Sequence, residues 1–242
     1  MFEIISPNVK YIQGIHIPMV DAFENVKLHE RGIVEINLVM SSKGFAGDPP
    51  GPMLMAGFDN AFEGYEKAGY VYPVSVTGLQ SGITESVGSK RFCAWDDGFA
   101  GKLTRLIKNT HVLDIVKDVS GVNWHFDSVS KYFRFMRYSK GGEHFPHYDS
   151  DFHGSNYVTK YSLVMYFNDC ESGELAFVDD PRRPVTESDW ERQATGEEIY
   201  RKITPRAGRI ILFPHTLCHT VLPFRGEASF RRVVRGDLVF TQ

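Results

Sequence analysis

From about residue 120 onward the chain breaks into short runs rich in aromatic and β-branched residues, each bounded by turn-formers. The runs are KYFRFMRYS (131–139), TKYSLVMYFND (159–169), GELAFVDD (173–180), GRIILFPH (208–215), HTVLPF (219–224) and SFRRVVRGDLVFT (229–241). Several alternate apolar with polar residues. A strand shows its two faces in alternation, so this pattern places one face on a core and the other in water. Many short strands of this kind leave a sandwich or a barrel as the economical ways to bury those faces.

The first half reads differently. FDNAFEGYEKAGY (58–70) has Asp59 or Asn60 as an N-cap, Gly69 as a stop, and Phe62, Tyr65 and Ala68 near helical spacing. AWDDGFAGKLTRLIKNT (94–110) places Phe99, Leu103, Leu106 and Ile107 on one stripe behind a capping Asp96. Residues 41–57 carry four Gly and three Pro and are expected to form a long loop. Residues 181–204 are polar and charged, too long for a simple hairpin connection, and are expected to form a lid or substrate loop. The expectation is an α+β, mainly β chain forming a single domain. Residues 1–120 would be a mixed region whose helices pack on the core, and residues 121–242 the β-rich core itself.

Charge narrows the partners. The 242 residues carry a net charge of −3, but residues 181–242 hold eleven Lys/Arg against seven Asp/Glu. A general nucleic-acid binder is usually basic throughout, so no nucleic acid is expected. Trp190 and Tyr200 are the aromatic residues near that basic stretch. Three cysteines, with no CxxC pair, imply neither a disulfide framework nor a structural zinc site. No leader pattern and no 18-residue apolar run is present, and the expected setting is the cytoplasm with no membrane.

Two His-bearing segments stand out, GGEHFPHYDSDFH (141–153) and FPHTLCHT (213–220). His147 and Asp149 are two apart, which on a strand places an imidazole and a carboxylate on one face, roughly 6.5 Å apart along the chain. With a distant His219, which opens the strand following Phe213–Pro214, they make two imidazoles and one carboxylate on one octahedral face. Such a set leaves three positions open and suits non-haem Fe(II). A zinc site built from helical pairs, His144 with His147 and His215 with His219, is disfavoured because Pro146 and Pro214 interrupt helices. His144, His153 and His215 are expected at the mouth of the barrel or on exposed loops.

The ordered set RYSKGGEHFPHYDS, LVMYFND, ESGELAFV, ITPRAGRIILFPH and CHTVLPFRGEASFRRVVRGDLVF resembles Fe(II)- and 2-oxoglutarate-dependent dioxygenases of the prolyl 4-hydroxylase type. The resemblance covers about residues 131–242, and more loosely 84–107. It implies a double-stranded β-helix, or distorted jelly roll, with supporting N-terminal helices. It also implies Fe(II) held by His147, Asp149 and His219, 2-oxoglutarate as co-substrate, and ascorbate (vitamin C) as reductant. The basic residue that grips the far carboxylate of 2-oxoglutarate would be Arg231, with Arg232 as the neighbouring choice and Arg225 a remote one. Family spacing departs here, because positions 228 and 229 are Ala and Ser. Tyr138 and Tyr166 match tyrosines that donate to the same carboxylate.

The implied reaction is hydroxylation of an unactivated C–H bond with release of succinate and CO2, most directly at a prolyl residue of a peptide or protein. A free amino acid or other small molecule is the alternative substrate. Asp149 fills the position that related halogenases leave to halide, so hydroxylation is expected. A catalytically silent binding module on the same scaffold is the competing expectation.

Overall fold

A computed structural model describes residues 23–38, 51–73, 86–118, 120–181 and 192–242. Thirteen strands appear: β1 (Phe23–Leu28), β2 (Val34–Leu38), β3 (Tyr72–Pro73), β4 (Ser86–Trp95), β5 (Ile115–Lys117), β6 (Asn123–Val129), β7 (Tyr132–His147), β8 (Tyr157–Tyr166), β9 (Leu175–Val178), β10 (Ile199–Ile203), β11 (Arg209–Pro214), β12 (His219–Val221) and β13 (Arg231–Thr241). Two helices, α1 (Gly51–Lys67) and α2 (Asp97–Lys108), lie among the early strands.

The strands form one curled antiparallel sheet in the order β1-β2-β11-β8-β13-β7-β12-β9-β10, with β4 also paired to β7 and β6 to β13. Its two ends meet through the turn between β1 and β2. Arg201 on β10 donates to both oxygens of Glu30 at 2.7–2.9 Å, and Arg31 reaches Asp179 at 2.6 Å while covering the Tyr200 ring. Curling gives the sheet an inner and an outer face, and each has its own core. The inner core gathers Tyr138, Val164, Tyr166, Phe177, Phe213 and Val233. The outer one receives the helices against Phe92, Phe133 and Phe135. This is the jelly-roll core, mainly β, that the sequence implied.

Local sequence explains the helices. Asp96 caps α2 as expected, accepting from the backbone N–H of Phe99 at 2.8 Å. The stripe Phe99, Leu103, Leu106 and Ile107 is buried. Helix α1 buries Phe58 and Phe62 completely, and they stack into a chain of rings with Phe92, Phe135 and Phe167. Burial of each such side chain stabilises by about 1.5–3 kcal/mol.

Two expectations need correction. Helix α1 starts at Gly51, so 51–57 is helical and not loop; the rest of 41–57 lies outside the described residues. Residues 199–203 are strand β10, so the lid expectation shrinks to a segment largely outside the described residues. Gly141 and Gly142 lie within the long strand β7. A Cβ at Gly142 would stand 2.8 Å from the Ser139 carbonyl oxygen and 2.9 Å from that of Gly88, so the glycine permits β4 and β7 to touch backbone to backbone. Strands β1, β2 and β4 were not read from the sequence, although they complete the sheet.

Candidate active site

His147 ends β7 and His219 opens β12, and the two are direct partners across the antiparallel pairing. That register explains how residues 72 positions apart meet. Asp149 follows β7 by two residues. Its carboxylate lies 3.9 Å from His147 Nε2 and 3.6 Å from His219 Nε2. One ligand atom from each of the three residues falls within 4.8 Å of the others. The structure thus brings together all three side chains that the sequence proposed as ligands.

Both imidazoles are oriented from behind. Nδ1 of His147 donates to the Phe145 carbonyl at 2.8 Å, and Nδ1 of His219 to the Leu217 carbonyl at 3.1 Å. A carbonyl only accepts, so each Nδ1 carries the proton and each Nε2 presents a lone pair toward Asp149. Burial, reinforced by the neighbouring His147, holds His219 down to about 3. For Asp149, burial works upward, but Arg235 and the two imidazoles outweigh it and keep the carboxyl well below the usual range. A neutral imidazole beside an ionised carboxylate is the state a divalent cation requires.

The carboxylate itself is fixed by two groups that sequence reasoning did not assign. Arg235 Nη2 stands 2.5 Å from Asp149 Oδ1, and the Ser162 hydroxyl donates to Asp149 Oδ2. For Arg235 the sequence carries only an indirect signal. The available signal was its i, i+4 spacing from Arg231, which puts both on one face of β13. His215, expected at the mouth or on a loop, is 2% exposed; it bonds Asp151 at 2.9 Å and stands 3.5 Å from Asp237. His153 is exposed, and His144 stacks on the His147 ring with centroids 4.1 Å apart.

Arg231 lies on the inner face of β13, 1% exposed, opposite Tyr138 on β7 and near Tyr166 on β8. Its guanidinium sits 4.3 Å over the Tyr138 ring and 5.7 Å from that of Tyr166. Arg231 Nε and Nη1 and the Tyr166 hydroxyl are buried with no hydrogen-bond partner among the described residues. Burial pushes the Tyr166 hydroxyl up to about 12 and also raises Tyr138, so both remain protonated donors. Three neighbouring buried donors with no acceptor among the described residues are costly unless an acceptor arrives. A carboxylate fits that set.

Arg232 points the other way. It is bonded through two nitrogens to Asp59 on α1, at 2.7 and 2.8 Å, with Arg137 sharing the same carboxylate at 2.8 Å. Asn168 clasps this end of β13, accepting from the Arg232 backbone N–H at 2.9 Å and donating to the Phe230 carbonyl at 3.0 Å. Arg225 is exposed.

Residues 133–236 match the sequence model of the 2OG-Fe(II) oxygenase superfamily. In structure the chain is similar to a Pseudomonas putida prolyl-4-hydroxylase, at 15% identity over 86% of this chain and 92% of that one, with a TM-score of 0.51. It is similar to OsALKBH1 to the same degree, with a TM-score of 0.51 and 12% identity over 89% of this chain and all of the other. At such identities the likeness speaks to the fold. No curated protein matches the chain. The resemblance carried by the motifs is borne out over residues 133–236, where the chain matches that family model.

Proposed function

We propose that this protein is an Fe(II)- and 2-oxoglutarate-dependent dioxygenase that hydroxylates a C–H bond, with a prolyl residue of a peptide as its substrate. The observation that carries the reading is the juxtaposition of two unlike sites on one inner sheet face. One is a His–Asp–His cluster, and the other a buried guanidinium with unmet donors. The prolyl assignment rests on the order of motifs in the sequence.

His147, Asp149 and His219 would hold Fe(II), and Arg231 with Tyr138 and Tyr166 would hold the far carboxylate of 2-oxoglutarate. Bound iron with 2-oxoglutarate and oxygen supplies the oxidising power, with succinate and CO2 as products and ascorbate maintaining the ferrous state. The protein's own work is positioning. The Phe145 and Leu217 carbonyls fix the imidazole tautomers, and Arg235 and Ser162 hold the carboxylate. The apolar inner core around Phe177, Phe213 and Val233 keeps water from the guanidinium. No helix among the described residues is long and apolar enough to cross a membrane.

Anaerobic titration with Fe(II) and 2-oxoglutarate should raise the visible charge-transfer band of a chelated keto acid. Replacing His147 or Asp149 with Ala should remove both that band and 2-oxoglutarate-dependent succinate release. Full succinate release by either variant would sink the ligand assignment.

A further inference from the structure

The inner sheet face does not stop at the metal cluster. Antiparallel partners share a face, so the pairings Arg235↔Arg134, Arg134↔Cys93, Met136↔Arg91, Tyr132↔Trp95 and Arg91↔Tyr72 put one continuous strip across β13, β7, β4 and β3. Three strand spacings make it roughly 14 Å wide. The helices cover the opposite face, through Phe92, Ala94, Phe133 and Phe135. On the strip, by contrast, Trp95 is 38% and Tyr72 40% exposed.

The charge on this strip does not balance. Arg235, Arg134 and Arg91 supply three guanidiniums against two carboxylates, Asp149 and Asp237. Asp149 is taken by Arg235 at 2.5 Å. Asp237 is shared among Arg235 at 3.5 Å, Arg134 at 3.6 Å and His215 at 3.5 Å. Arg134 Nη1 is buried and makes no hydrogen bond among the described residues. Arg91 uses Nε to donate to the Tyr72 hydroxyl at 3.1 Å and has no carboxylate partner among them. Arg91 and Arg134 each lie 5.3 Å over a tyrosine ring, Tyr72 and Tyr132 respectively, which steadies the planar fork without neutralising it.

We propose that this strip is the substrate-binding surface and that it takes a peptide bearing an acidic side chain within one or two residues of the hydroxylated position. The carboxylate sits on Arg134 and Arg91, while proline or aliphatic groups lie on Tyr132, Tyr72 and Trp95. The proposal rests on the oxygenase reading, since the cluster around Asp149 marks where the reacting residue must reach. A free amino acid is too short to span such a surface. A single-stranded nucleic acid carries a charge at every nucleotide and needs a continuous cationic track, which Asp237 interrupts. One or two carboxylates match the two underused forks.

The test uses the whole protein and fluorescein-labelled nonapeptides built around Glu-Pro-Glu, Gln-Pro-Gln or Lys-Pro-Lys, read by fluorescence anisotropy at low salt. The Glu peptide should bind about tenfold or more tightly than the Gln peptide, as a charge-assisted pair requires, and the Lys peptide most weakly. Arg134→Glu, and separately the less buried Arg91→Glu, should invert the order in favour of Lys, an outcome that a merely unfolded variant cannot give. Equal affinity for all three peptides, no binding by any, or preferential binding of a twelve-nucleotide oligo-dT would overturn the proposal. Succinate release without peptide is measured in parallel. Its absence alongside an intact Glu preference would sink the oxygenase reading and leave the acidic-peptide surface standing.

Discussion

The two faces of the sheet formed by β7 and β13 treat the adjacent arginines Arg231 and Arg232 in opposite ways. On the outer face Arg137 and Arg232 converge on Asp59, whose single carboxylate accepts from both at 2.7–2.8 Å. On the inner face Arg231, one residue from Arg232 in sequence, is more deeply buried and has no acidic partner among the described residues. A buried cation normally brings its counterion with it. Where the described residues supply no counterion, the proposed co-substrate would bring the missing charge from outside. The outer face is thus finished by folding, and the inner face is finished by binding.

Removing Asp59 should have the largest effect on this contrast. Asp59→Ala leaves Arg232 uncompensated and Arg137 with Glu63 alone, at 3.7 Å, and should cost about 3 kcal/mol in urea unfolding. The same pair has a pH signature. Burial raises the Asp59 carboxyl, but Arg232 and Arg137 outweigh it and hold it below its ordinary value. Its stabilisation is therefore fully present above the unfolded value of about 3.9 and declines as pH falls through the lower folded value. Unfolding curves of Asp59→Asn should be flatter than wild type in that acid range.

The inner face should respond to ligand instead. At a hundredfold excess over its Kd, 2-oxoglutarate should stabilise the wild type by about 2.7 kcal/mol, and Arg231→Met should abolish that gain. Without ligand, Arg231→Met should be neutral or more stable by about 1 kcal/mol, because it removes an uncompensated buried charge. A substantial loss of stability in that variant would break the comparison between the faces. Tyr166→Phe should show the smallest effect, weakening 2-oxoglutarate by about 1 kcal/mol in the same titration, the value of one hydrogen bond.

Strands β7, β8, β9, β11, β12 and β13 and the buried stripe of α2 were legible because each buries one face and therefore alternates, or repeats, in sequence; β6, β10 and the first turns of α1 were not. His147, Asp149 and His219 were legible for a chemical reason: few residue types bind iron. The N-terminal strands were not. Val34–Leu38 lies between β1 and β11 as a near-continuous buried run, including a Glu35 that is 6% exposed and held by His29 and Arg209. A strand buried on both faces loses its alternation. Arg231 against Arg232 was likewise undecidable from spacing, since adjacent residues of one type exchange roles with a single step of the strand. The role of Arg235 depends on a carboxylate 86 positions away, a contact no local pattern encodes.

That last ambiguity gives Asn168 an unexpected importance. With two identical side chains in succession, β13 could slide by one residue and still present an arginine to each side, so the cations themselves do not fix the alignment. The Asn168 amide, bound to backbone groups on both sides of Arg231, works as a pawl: it lets the strand seat in one notch. A neutral substitution there, far from any reacting atom, would then emerge as a fault in co-substrate capture.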